Sequence, residues 1–303
     1  MKAFVIVCAM LACACRAPGG VVITIENDFF GDSDDNYSHG TELEYVRPVD
    51  AGDVFRVGYG WNQLMYTPKK IGRKEMPPIT DRPWAGTMGV YRETWASRDK
   101  EEIRTRVEVG VMGPSSHADD SQREVHKLLN NRLPQGWDNQ KPDEPMLNIY
   151  QDRYREMCNF NLHDKTSIGA KFLYGGTLGT TFVNGRLGLL SRFGYNIPDK
   201  SVPGDIAIKR SRWQDRLFAY FFGEAIGMCV LHNATLSDSI FRTKPGTERT
   251  IEHFVPVLRY GVVLGYDKFS ASYMWEERGD EFKHEDDGGM SYGMLRFEFT
   301  AHF

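Results

Sequence analysis

The chain has 303 residues, a hydrophobic fraction of 41%, a charged fraction of 26% and a formal net charge of -4. This composition excludes an intrinsically disordered chain, and no apolar run reaches the roughly 18 residues that a transmembrane helix requires. The near-neutral charge gives no indication of nucleic-acid binding, and we expect no nucleic acid partner. A mean hydropathy of -0.45 still permits a transmembrane β-barrel, because averaging hides an alternating pattern.

The N-terminal residues have the pattern of a secretory signal peptide. Lys2 supplies a positive charge, residues 3–15 form a short run of apolar and small side chains, and an A-x-A sequence precedes Arg16. Residues 1–16 are therefore predicted to be a signal peptide. Residues 17–303 show no internal repeat and no linker, and they are predicted to form one exported domain.

Alternation of apolar with polar or glycine residues is the strongest pattern in the mature chain. Residues 53–62, 104–112 and 256–266 each place apolar side chains at every second position. The side chains of a strand point to opposite faces with a period of two, so each segment is predicted to be a strand with one apolar face. Their lengths are close to the ~9–11 residues that a tilted transmembrane strand needs. The sequence predicts twelve strands, at residues 21–28, 39–47, 53–62, 86–95, 104–112, 146–155, 166–174, 185–193, 214–224, 256–266, 268–276 and 291–303.

The last predicted strand favours a membrane barrel over a soluble β-protein. Apolar residues alternate from Leu295 to Phe303, and the chain ends on an aromatic side chain. This ending resembles the C-terminal signal of bacterial outer-membrane barrels, whereas a soluble protein with such an edge strand would tend to aggregate. We therefore predict an all-β fold, a roughly twelve-stranded antiparallel transmembrane β-barrel of a Gram-negative outer membrane. A soluble secreted β-protein is the alternative.

The unusual sequence segments lie on three connections that share one end of the predicted barrel. Because the termini of such barrels are usually periplasmic, residues 29–38, 63–85 and 113–145 are predicted to be extracellular. The first connection begins in E-N-D-F-F and ends in Y-S-H-G. The second carries Y-T-P, a basic stretch and D-R-P-W-A-G, and the third carries G-P, Q-x-x-x-H, G-W-x-x-Q and E-P.

The third of these connections contains a short predicted helix. Ser116 and Asp119 form an S-x-x-D capping signal at its start. Gln122 and His126 lie four residues apart, so they share a helix face. Three nearby apolar residues form a stripe that is expected to dock the helix on the barrel: Val125, Leu128 and Leu129.

Taken together, these segments resemble a known family, the calcium-dependent lipid A 3'-O-deacylases of Gram-negative outer membranes. The resemblance covers nearly the whole mature chain and rests on the order and spacing of the segments quoted above. It implies a twelve-stranded barrel whose active site lies at the outer-leaflet end, between the barrel wall and a loop helix. It also implies calcium as the cofactor, lipid A of lipopolysaccharide as the substrate, and hydrolysis of the 3'-linked acyl ester by an activated water molecule.

The resemblance assigns roles to individual residues. His126 matches the general base, and Gln122 matches its neighbour on the helix. Asn27 and Asp28 match an Asn-Asp pair in which Asp28 is the metal carboxylate. Ser38 stands where the family has Thr or Ser after a tyrosine. The chemistry agrees, because calcium prefers oxygen ligands and a histidine is suited to take a proton from water.

Two parts of the implied site depart from the family pattern. The position of an expected metal-binding glutamate, six residues after the helix histidine, is Arg132 here. Gly40 is expected to offer a backbone oxygen to the metal. Either another carboxylate ligand comes from one of three residues, Glu124, Asp138 or Glu144, or the metal is held more weakly. The family's loop lysine cannot be aligned uniquely, so Arg73 and Lys74 are both candidates for binding lipid A phosphates.

The sequence leaves other functions open. An outer-membrane phospholipase-type esterase could use Ser38 as a nucleophile with His39 or His126, and it would form a covalent acyl intermediate. A pore or a non-catalytic lipopolysaccharide-binding barrel would carry the same residues without chemistry. The oligomeric state and the pairing of Cys158 with Cys229 are also left open.

Overall fold

Twelve antiparallel strands form a closed barrel in the part of the chain that the computed structural model describes, residues 19–28, 37–198, 217–285 and 288–301. Each strand pairs with its neighbours in sequence, and β1 pairs with β12. The strands are β1 (Gly19–Asn27), β2 (His39–Ala51), β3 (Val54–Tyr66), β4 (Ala85–Arg98), β5 (Glu101–Met112), β6 (Glu144–His163), β7 (Thr166–Gly179), β8 (Phe182–Tyr195), β9 (Leu217–Asn233), β10 (Phe254–Tyr266), β11 (Phe269–Arg278) and β12 (Met290–Ala301). The predicted all-β barrel of twelve strands is confirmed, whereas the predicted signal peptide, the acidic residues 32–35 and the terminal Phe303 lie outside the described residues.

Several strands are longer than the apolar alternation predicted. β6 has 20 residues where the sequence indicated 146–155, and β9 continues to Asn233. Apolar alternation marks only the stretch of a strand that faces the membrane, whereas backbone pairing continues beyond it on both sides. Cys158 on β6 and Cys229 on β9 are both free thiols.

The two faces of the wall differ in polarity, as the alternation predicted. On β5, Val107 and Val109 are exposed on the outside of the barrel, and Glu108 between them is buried inside. Inside the barrel, Arg106 reaches across from β5 to pair with Glu42 of β2 at 2.9 Å. The outward face is therefore apolar and suited to lipid, while charged groups pair with one another inside.

Buried apolar side chains also occupy part of the barrel interior. They come from β4, from β6 to β11, and from two loops: Trp95, Tyr154, Leu173, Leu190, Phe218, Tyr220, Phe222, Ile226, Val230, Val255, Val257, Val263, Met274, Leu236, Ile251 and Phe282. Together with the charged groups, they leave a cavity of about 340 Å³ within the described part of the barrel.

The connections at one end of the barrel are long and tied to one another. They are the β3–β4 loop (67–84), the β5–β6 loop (113–143), the β9–β10 loop (234–253) and the β11–β12 loop (279–289). Arg249 donates from Nε to the backbone oxygen of Asp81 at 2.7 Å and from Nη2 to that of Pro78 at 2.9 Å. Arg82 forms a buried ion pair with Glu281. These contacts join three loops into one cap over the rim.

A short helix, α1 (Ala118–Leu128), lies in the β5–β6 loop where the sequence predicted one. Two 3₁₀ turns, Pro114–Ser116 and Trp137–Asn139, precede and follow it in the same loop. No helix among the described residues is long and apolar enough to cross a membrane.

Lys141 of the β5–β6 loop provides a test of the loop cap. Its side chain is buried and its Nζ donates to the backbone oxygens of Leu236 at 3.3 Å and Ser237 at 2.6 Å. Burial lowers the pKa of Lys141 from 10.5 to about 8. Between these pH values the unfolded chain binds more protons than the folded one, so the free energy of unfolding increases as the pH rises.

We therefore expect the thermal unfolding midpoint of the wild type to rise between pH 8 and 10.5, relative to that of Lys141→Met. Differential scanning fluorimetry of both proteins in the same detergent, at matched pH values, measures this difference. Parallel curves for the two proteins would contradict a buried amine with a lowered pKa.

Candidate active site between the barrel wall and the loop helix

The outer face of the barrel wall is covered by protein near the loop end of β3. Asn62 and Tyr66 line the interior cavity, whereas Tyr59 is exposed on the outside. Alternation therefore places Gln63 and Met65 on the outward face, yet both side chains are buried. The β5–β6 loop covers them. The candidate site is thus built on the outside of the wall rather than in the lumen.

Helix α1 begins directly against this outer wall. Gln63 Nε2 donates to the backbone oxygen of Ser116 at 2.6 Å. Thr87 of β4 lines the cavity, so its neighbour Gly86 faces outward. A Cβ at Gly86 would lie 2.3 Å from the Cβ of Ala118. A glycine at this position is therefore required for the helix to pack so closely on the strand.

The start of α1 differs from the predicted capping signal. His117, in the left-handed conformation, precedes the helix, and its side chain forms no capping hydrogen bond, while the backbone nitrogen of Ala118 donates to the Ser116 hydroxyl at 3.4 Å. The hydroxyl of Ser116 instead donates to the Gly113 carbonyl at 2.6 Å, within the preceding 3₁₀ turn. The S-x-x-D prediction was wrong because this turn uses the hydroxyl before the helix begins.

Two tryptophan rings fix Gln122 against the wall. The rings of Trp84 and Trp137 lie 4.9 Å apart and pack with Met65 and Ala118. Trp137 Nε1 donates to Gln122 Oε1 at 2.7 Å, and both side chains are buried. Sequence analysis did not select Trp137 as a site residue, and its only signal was the G-W pair of the loop.

His126 lies one turn further along α1 and is held by the backbone that follows the helix. Its Nδ1 is 2.6 Å from the backbone oxygen of Arg132. A carbonyl oxygen can only accept, so Nδ1 carries the proton of the neutral ring. The lone pair is then on Nε2, and this nitrogen can accept a proton.

The second half of α1 does not pack on the barrel. The stripe of Val125, Leu128 and Leu129 was predicted to dock the helix, yet all three side chains are exposed. That prediction was wrong, because the buried side chains of the helix are Ala118 and Gln122, both in its first half.

The ends of β1 and β2 bring together three predicted residues beside this helix. Asn27 Nδ2 donates to the backbone oxygen of Ser38 at 2.7 Å, and the Ser38 hydroxyl forms a hydrogen bond with the Thr67 hydroxyl. The backbone nitrogen of Ser38 donates to the oxygen of Met65 at 3.1 Å, and Met65 packs against α1. Asp28 is buried at the end of β1. These residues therefore share one rim with Gln122 and His126, with Met65 between the two groups.

Gly40 is required by a close approach of two side chains. A Cβ at this position would lie 2.3 Å from the hydroxyl oxygen of Tyr37 and 2.7 Å from Glu26 Oε2. The Tyr37 hydroxyl donates to this carboxylate, and its ring packs on Tyr66 and Tyr292 at centroid distances of 5.3 Å and 4.5 Å. The space beside Gly40 is therefore filled, so any larger residue at this position would displace Tyr37 or Glu26.

Comparison with known proteins identifies the family. The family model described as outer membrane protein LpxR matches residues 2–301. The chain belongs to the LpxR family. Among solved structures, it is similar to LpxR from Salmonella typhimurium, with 17% sequence identity, a TM-score of 0.80, and coverage of 94% of this chain and 100% of that chain. At this level of identity, the likeness shows the fold.

Other solved barrels match this LpxR-family chain less well. The β domain of the Bordetella autotransporter BrkA has 12% identity, a TM-score of 0.47, and coverage of 94% of this chain and 99% of that chain. The KdgM porin has 7% identity and a TM-score of 0.38, with coverage of 93% and 99%. No curated protein sequence matches the chain. The LpxR family and the closed barrel place the protein in the outer membrane.

In this LpxR-family protein, the β3–β4 loop is joined to the segment that follows α1. The backbone nitrogen of Gln135 donates to the oxygen of Ile71 at 2.8 Å, and Asn139 Nδ2 donates to the oxygen of Lys74 at 2.7 Å. The two segments therefore run side by side next to His126. This contact fixes the position of the basic stretch that the sequence singled out.

Three cationic residues meet on these joined segments. The guanidinium of Arg132 lies over Gly72, where a Cβ would be 2.2 Å from its Cζ, and Arg73 and Lys74 follow directly. All three cationic side chains are exposed, and within the described residues none of them forms an ion pair with a carboxylate. We call Arg73, Lys74 and Arg132 the basic patch. Sequence analysis predicted two of its members, and the structure adds Arg132.

The oxygen donors near the rim suit a hard cation. Asp28 supplies a buried carboxylate and Ser38 a buried hydroxyl, and Gly40 lies two residues further along, paired with both β1 and β3. Among the described residues, no group of three or more His, Cys, Asp or Glu side chains could hold a metal ion. Calcium binds backbone and hydroxyl oxygens together with carboxylates, whereas softer metals require histidine or cysteine ligands. The predicted ligands are therefore of the oxygen type that calcium uses, with Asp28 as the carboxylate, but within the described chain they do not form a preformed cluster of carboxylates.

Two of the alternative carboxylates are engaged elsewhere. Glu124 on α1 pairs with Lys127 at 2.7 Å and is exposed. Glu144 accepts from the backbone nitrogen of Arg242 at 2.6 Å, in the β9–β10 loop. Asp138 is exposed in the 3₁₀ turn after α1.

Proposed function

We propose that this LpxR-family barrel is a calcium-dependent outer-membrane esterase that hydrolyses the 3'-linked acyl ester of lipid A. The observation that carries the proposal is the 2.6 Å hydrogen bond between His126 Nδ1 and the Arg132 carbonyl, which leaves Nε2 free to accept a proton. The helix that carries His126 begins against the outward face of the wall, the side where lipid lies. The family supports the location of this activity, because LpxR proteins are outer membrane proteins.

His126 acts as the general base in this proposal. Its Nε2 takes a proton from a water molecule as that water attacks the ester carbonyl, and it returns the proton to the sugar oxygen as the ester C–O bond breaks, which releases the fatty acid and the free hydroxyl. The carbonyl of Arg132 keeps the proton on Nδ1 and stabilises the charged ring that forms. Trp137 Nε1 donates to the side-chain oxygen of Gln122, so the Gln122 amide NH₂ group is the one left to donate.

Asp28, with oxygens from Ser38 and Gly40, would hold the calcium ion. When bound, calcium supplies positive charge that polarises the ester carbonyl. Asn27 positions this end of β2 through its 2.7 Å hydrogen bond to the Ser38 backbone oxygen. Thr67 holds the Ser38 hydroxyl from the neighbouring loop.

The basic patch would bind the phosphate groups of lipid A. Arg73, Lys74 and Arg132 present exposed cations next to His126. Lysine and arginine both bind phosphate oxygens through charge-assisted hydrogen bonds, and the arginine guanidinium can form two such bonds in parallel. This patch orients the headgroup, while the ester is presented to the histidine.

A serine-esterase mechanism has less support. The Ser38 hydroxyl bonds to Thr67, and no histidine nitrogen of the described chain bonds to it. His39 binds the Thr41 hydroxyl at 2.6 Å instead. Activation of a serine requires a base within hydrogen-bonding reach. Attack by a water molecule that His126 activates is therefore better supported than attack by Ser38.

Mass spectrometry of lipid A from cells that express the protein tests the proposal. We expect the wild type to remove the 3'-linked acyloxyacyl group, and we expect calcium chelation or Asp28→Ala to prevent this loss. The physical reason is that the ester carbonyl then lacks the cation that stabilises developing negative charge.

Glu124→Gln is the matched control, because Glu124 is an exposed carboxylate paired with Lys127 on the same loop. It should deacylate lipid A like the wild type. Heat-modifiable migration on gels shows that each variant is folded. Activity that persists in Asp28→Ala and with chelator would rule out the calcium mechanism, and unchanged lipid A with folded wild type would rule out the activity.

A further inference from the structure

The lumen of the barrel contains a buried carboxylate whose hydrogen-bond partners are all uncharged. Glu108 of β5 is 4% exposed and lines the cavity of about 340 Å³ inside the barrel. It accepts hydrogen bonds from Asn62 Nδ2, from Asn148 Nδ2 at 3.3 Å and from the Tyr150 hydroxyl at 2.8 Å. An ionised carboxylate accepts and cannot donate, so a shell of three donors suits the charged form.

The cations that line the same cavity are paired with other acids. Six arginines line it, and each forms an ion pair with a carboxylate other than Glu108: Arg104, Arg106, Arg186, Arg259, Arg278 and Arg296. Arg106, two residues from Glu108 on β5, pairs with Glu42 and Glu93. In the described part of the chain, therefore, no ion pair neutralises Glu108. A buried charge without a counter-ion is unfavourable, and a cationic ligand would offset that cost.

An amide oxygen next to this carboxylate also lacks a donor. Asn62 is 5% exposed, lines the cavity and donates from its NH₂ group to Glu108. A carboxylate can bond only to the NH₂ end of an amide, so the remaining atom of Asn62 is an acceptor. This Oδ1 is buried and receives no hydrogen bond from the residues that the structure describes. A ligand beside Glu108 would therefore be held best through N–H or O–H donors of its own.

Gly89 of β4 and the side chain of Met146 complete this corner of the cavity. The position that a Cβ of Gly89 would take lies 3.1 Å from Asn62 Oδ1, 3.1 Å from Glu108 Cγ and 3.0 Å from Met146 Cε. The three side chains therefore converge, and a methyl group lies next to the two acceptors. Apolar side chains also line the cavity on β9, β10 and β11: Ile226, Met228, Val255, Val257 and Met274. The cavity thus combines an acidic corner with an apolar wall.

We propose that this cavity binds a primary alkylammonium ion, with its ammonium group held by Glu108 and Asn62 and its alkyl chain against the apolar wall. An ammonium group carries one positive charge and three N–H donors, which match a carboxylate and an amide oxygen. Calcium and magnesium bind about six or more oxygen ligands, and no cluster of three acids occurs among the described residues. Because the site lies in the lumen, it is independent of the proposed esterase on the outer face.

Isothermal titration calorimetry of the full-length protein in detergent tests the inference with three ligands of the same chain length. Hexylammonium has both charge and N–H donors, hexyltrimethylammonium has the charge alone, and hexanol is neutral. Hexylammonium should bind at least about tenfold more tightly than either analogue, which is the contribution of a charge-assisted hydrogen bond. An analogue that binds as tightly as hexylammonium would overturn the site, because the charge or the N–H donors would then be unnecessary.

Glu108→Gln removes the charge and keeps the shape of the side chain, so it should weaken hexylammonium binding by at least about tenfold. Glu277→Gln is the matched control, because Glu277 is an exposed carboxylate of β11 that accepts from the Tyr260 hydroxyl at 3.0 Å. It should bind hexylammonium like the wild type, and the same titration in both variants subtracts partition of the amine into detergent. Equal binding by the two variants would contradict Glu108 as the counter-ion.

A spectroscopic measurement places the ligand without a charge variant. In wild-type protein labelled with ¹³C-methyl methionine, hexylammonium should shift the methyl resonance of Met146, which is assigned by its loss in Met146→Leu. The cause is that Met146 Cε lies in the same corner as Asn62 Oδ1. An unchanged Met146 resonance at saturating hexylammonium would overturn this location. Neither measurement depends on hydrolysis of lipid A, so the failure of the esterase proposal and the failure of this site are distinguishable.

Discussion

His126→Ala should lower the rate of lipid A deacylation by about 10²–10⁴-fold, the contribution of a positioned general base. The reason is that Nε2 is the accepting nitrogen of a ring whose Nδ1 binds the Arg132 carbonyl at 2.6 Å. The measurement is initial rate in detergent micelles, with released fatty acid quantified by mass spectrometry. Binding of lipid A should change little, because the imidazole contributes to the reaction rather than to headgroup recognition.

His117→Asn is the matched control for this prediction. His117 is an exposed histidine at the start of α1, where it lies 3.1 Å from Asp120, and asparagine tolerates its left-handed backbone. This variant should retain wild-type activity. A rate in His126→Ala within a factor of about three of the wild type would be far smaller than the loss of a general base and would remove His126 from the mechanism.

Arg82→Ala should lower the free energy of unfolding by about 3 kcal/mol. The Arg82 side chain is fully buried, pairs with Glu281 and lies 5.1 Å from the centroid of the Tyr66 ring. Its removal leaves the buried Glu281 carboxylate with Arg278, at 3.4 Å, as its remaining cation. Because that partner stays, the loss is expected at the lower end of the range for a broken buried ion pair.

Urea unfolding in lipid vesicles, followed by tryptophan fluorescence, measures this loss. The double variant Arg82→Met with Glu281→Leu should recover most of the stability, because neither partner then leaves an isolated charge. Lys127→Ala, which breaks the exposed pair with Glu124, should change the free energy of unfolding by less than about 1 kcal/mol. An Arg82→Ala effect as small as that of Lys127→Ala would contradict a buried ion pair between the two loops.

The barrel could be predicted from sequence because its pattern is local. Each transmembrane strand repeats an apolar residue every second position, and every predicted strand overlaps a strand of the barrel. The ends of the strands were predicted less accurately. β6 runs to His163 because backbone pairing with β7 continues where the membrane-facing pattern has stopped.

Most residues of the candidate site could be predicted from the sequence, but their arrangement in space could be predicted less well. Gln122, His126, Asn27 and Ser38 do lie on one rim, although the roles assigned to them stay predictions. The sequence did not indicate that only the first half of α1 is buried. Burial of the helix depends on how far the barrel wall extends beside it, and a local sequence pattern does not show this. Arg82 and Glu281 are 199 residues apart, so no local pattern connects them.

The position of Gln63 and Gly86 on the outside of the wall has a consequence for kinetics. A lipid can reach the candidate site by lateral diffusion within its own leaflet, without leaving the membrane for water. The rate of an enzyme with such a site depends on the mole fraction of substrate in the membrane rather than on its bulk concentration. Dilution with inert lipid should therefore slow it at constant total substrate, while dilution with buffer should not.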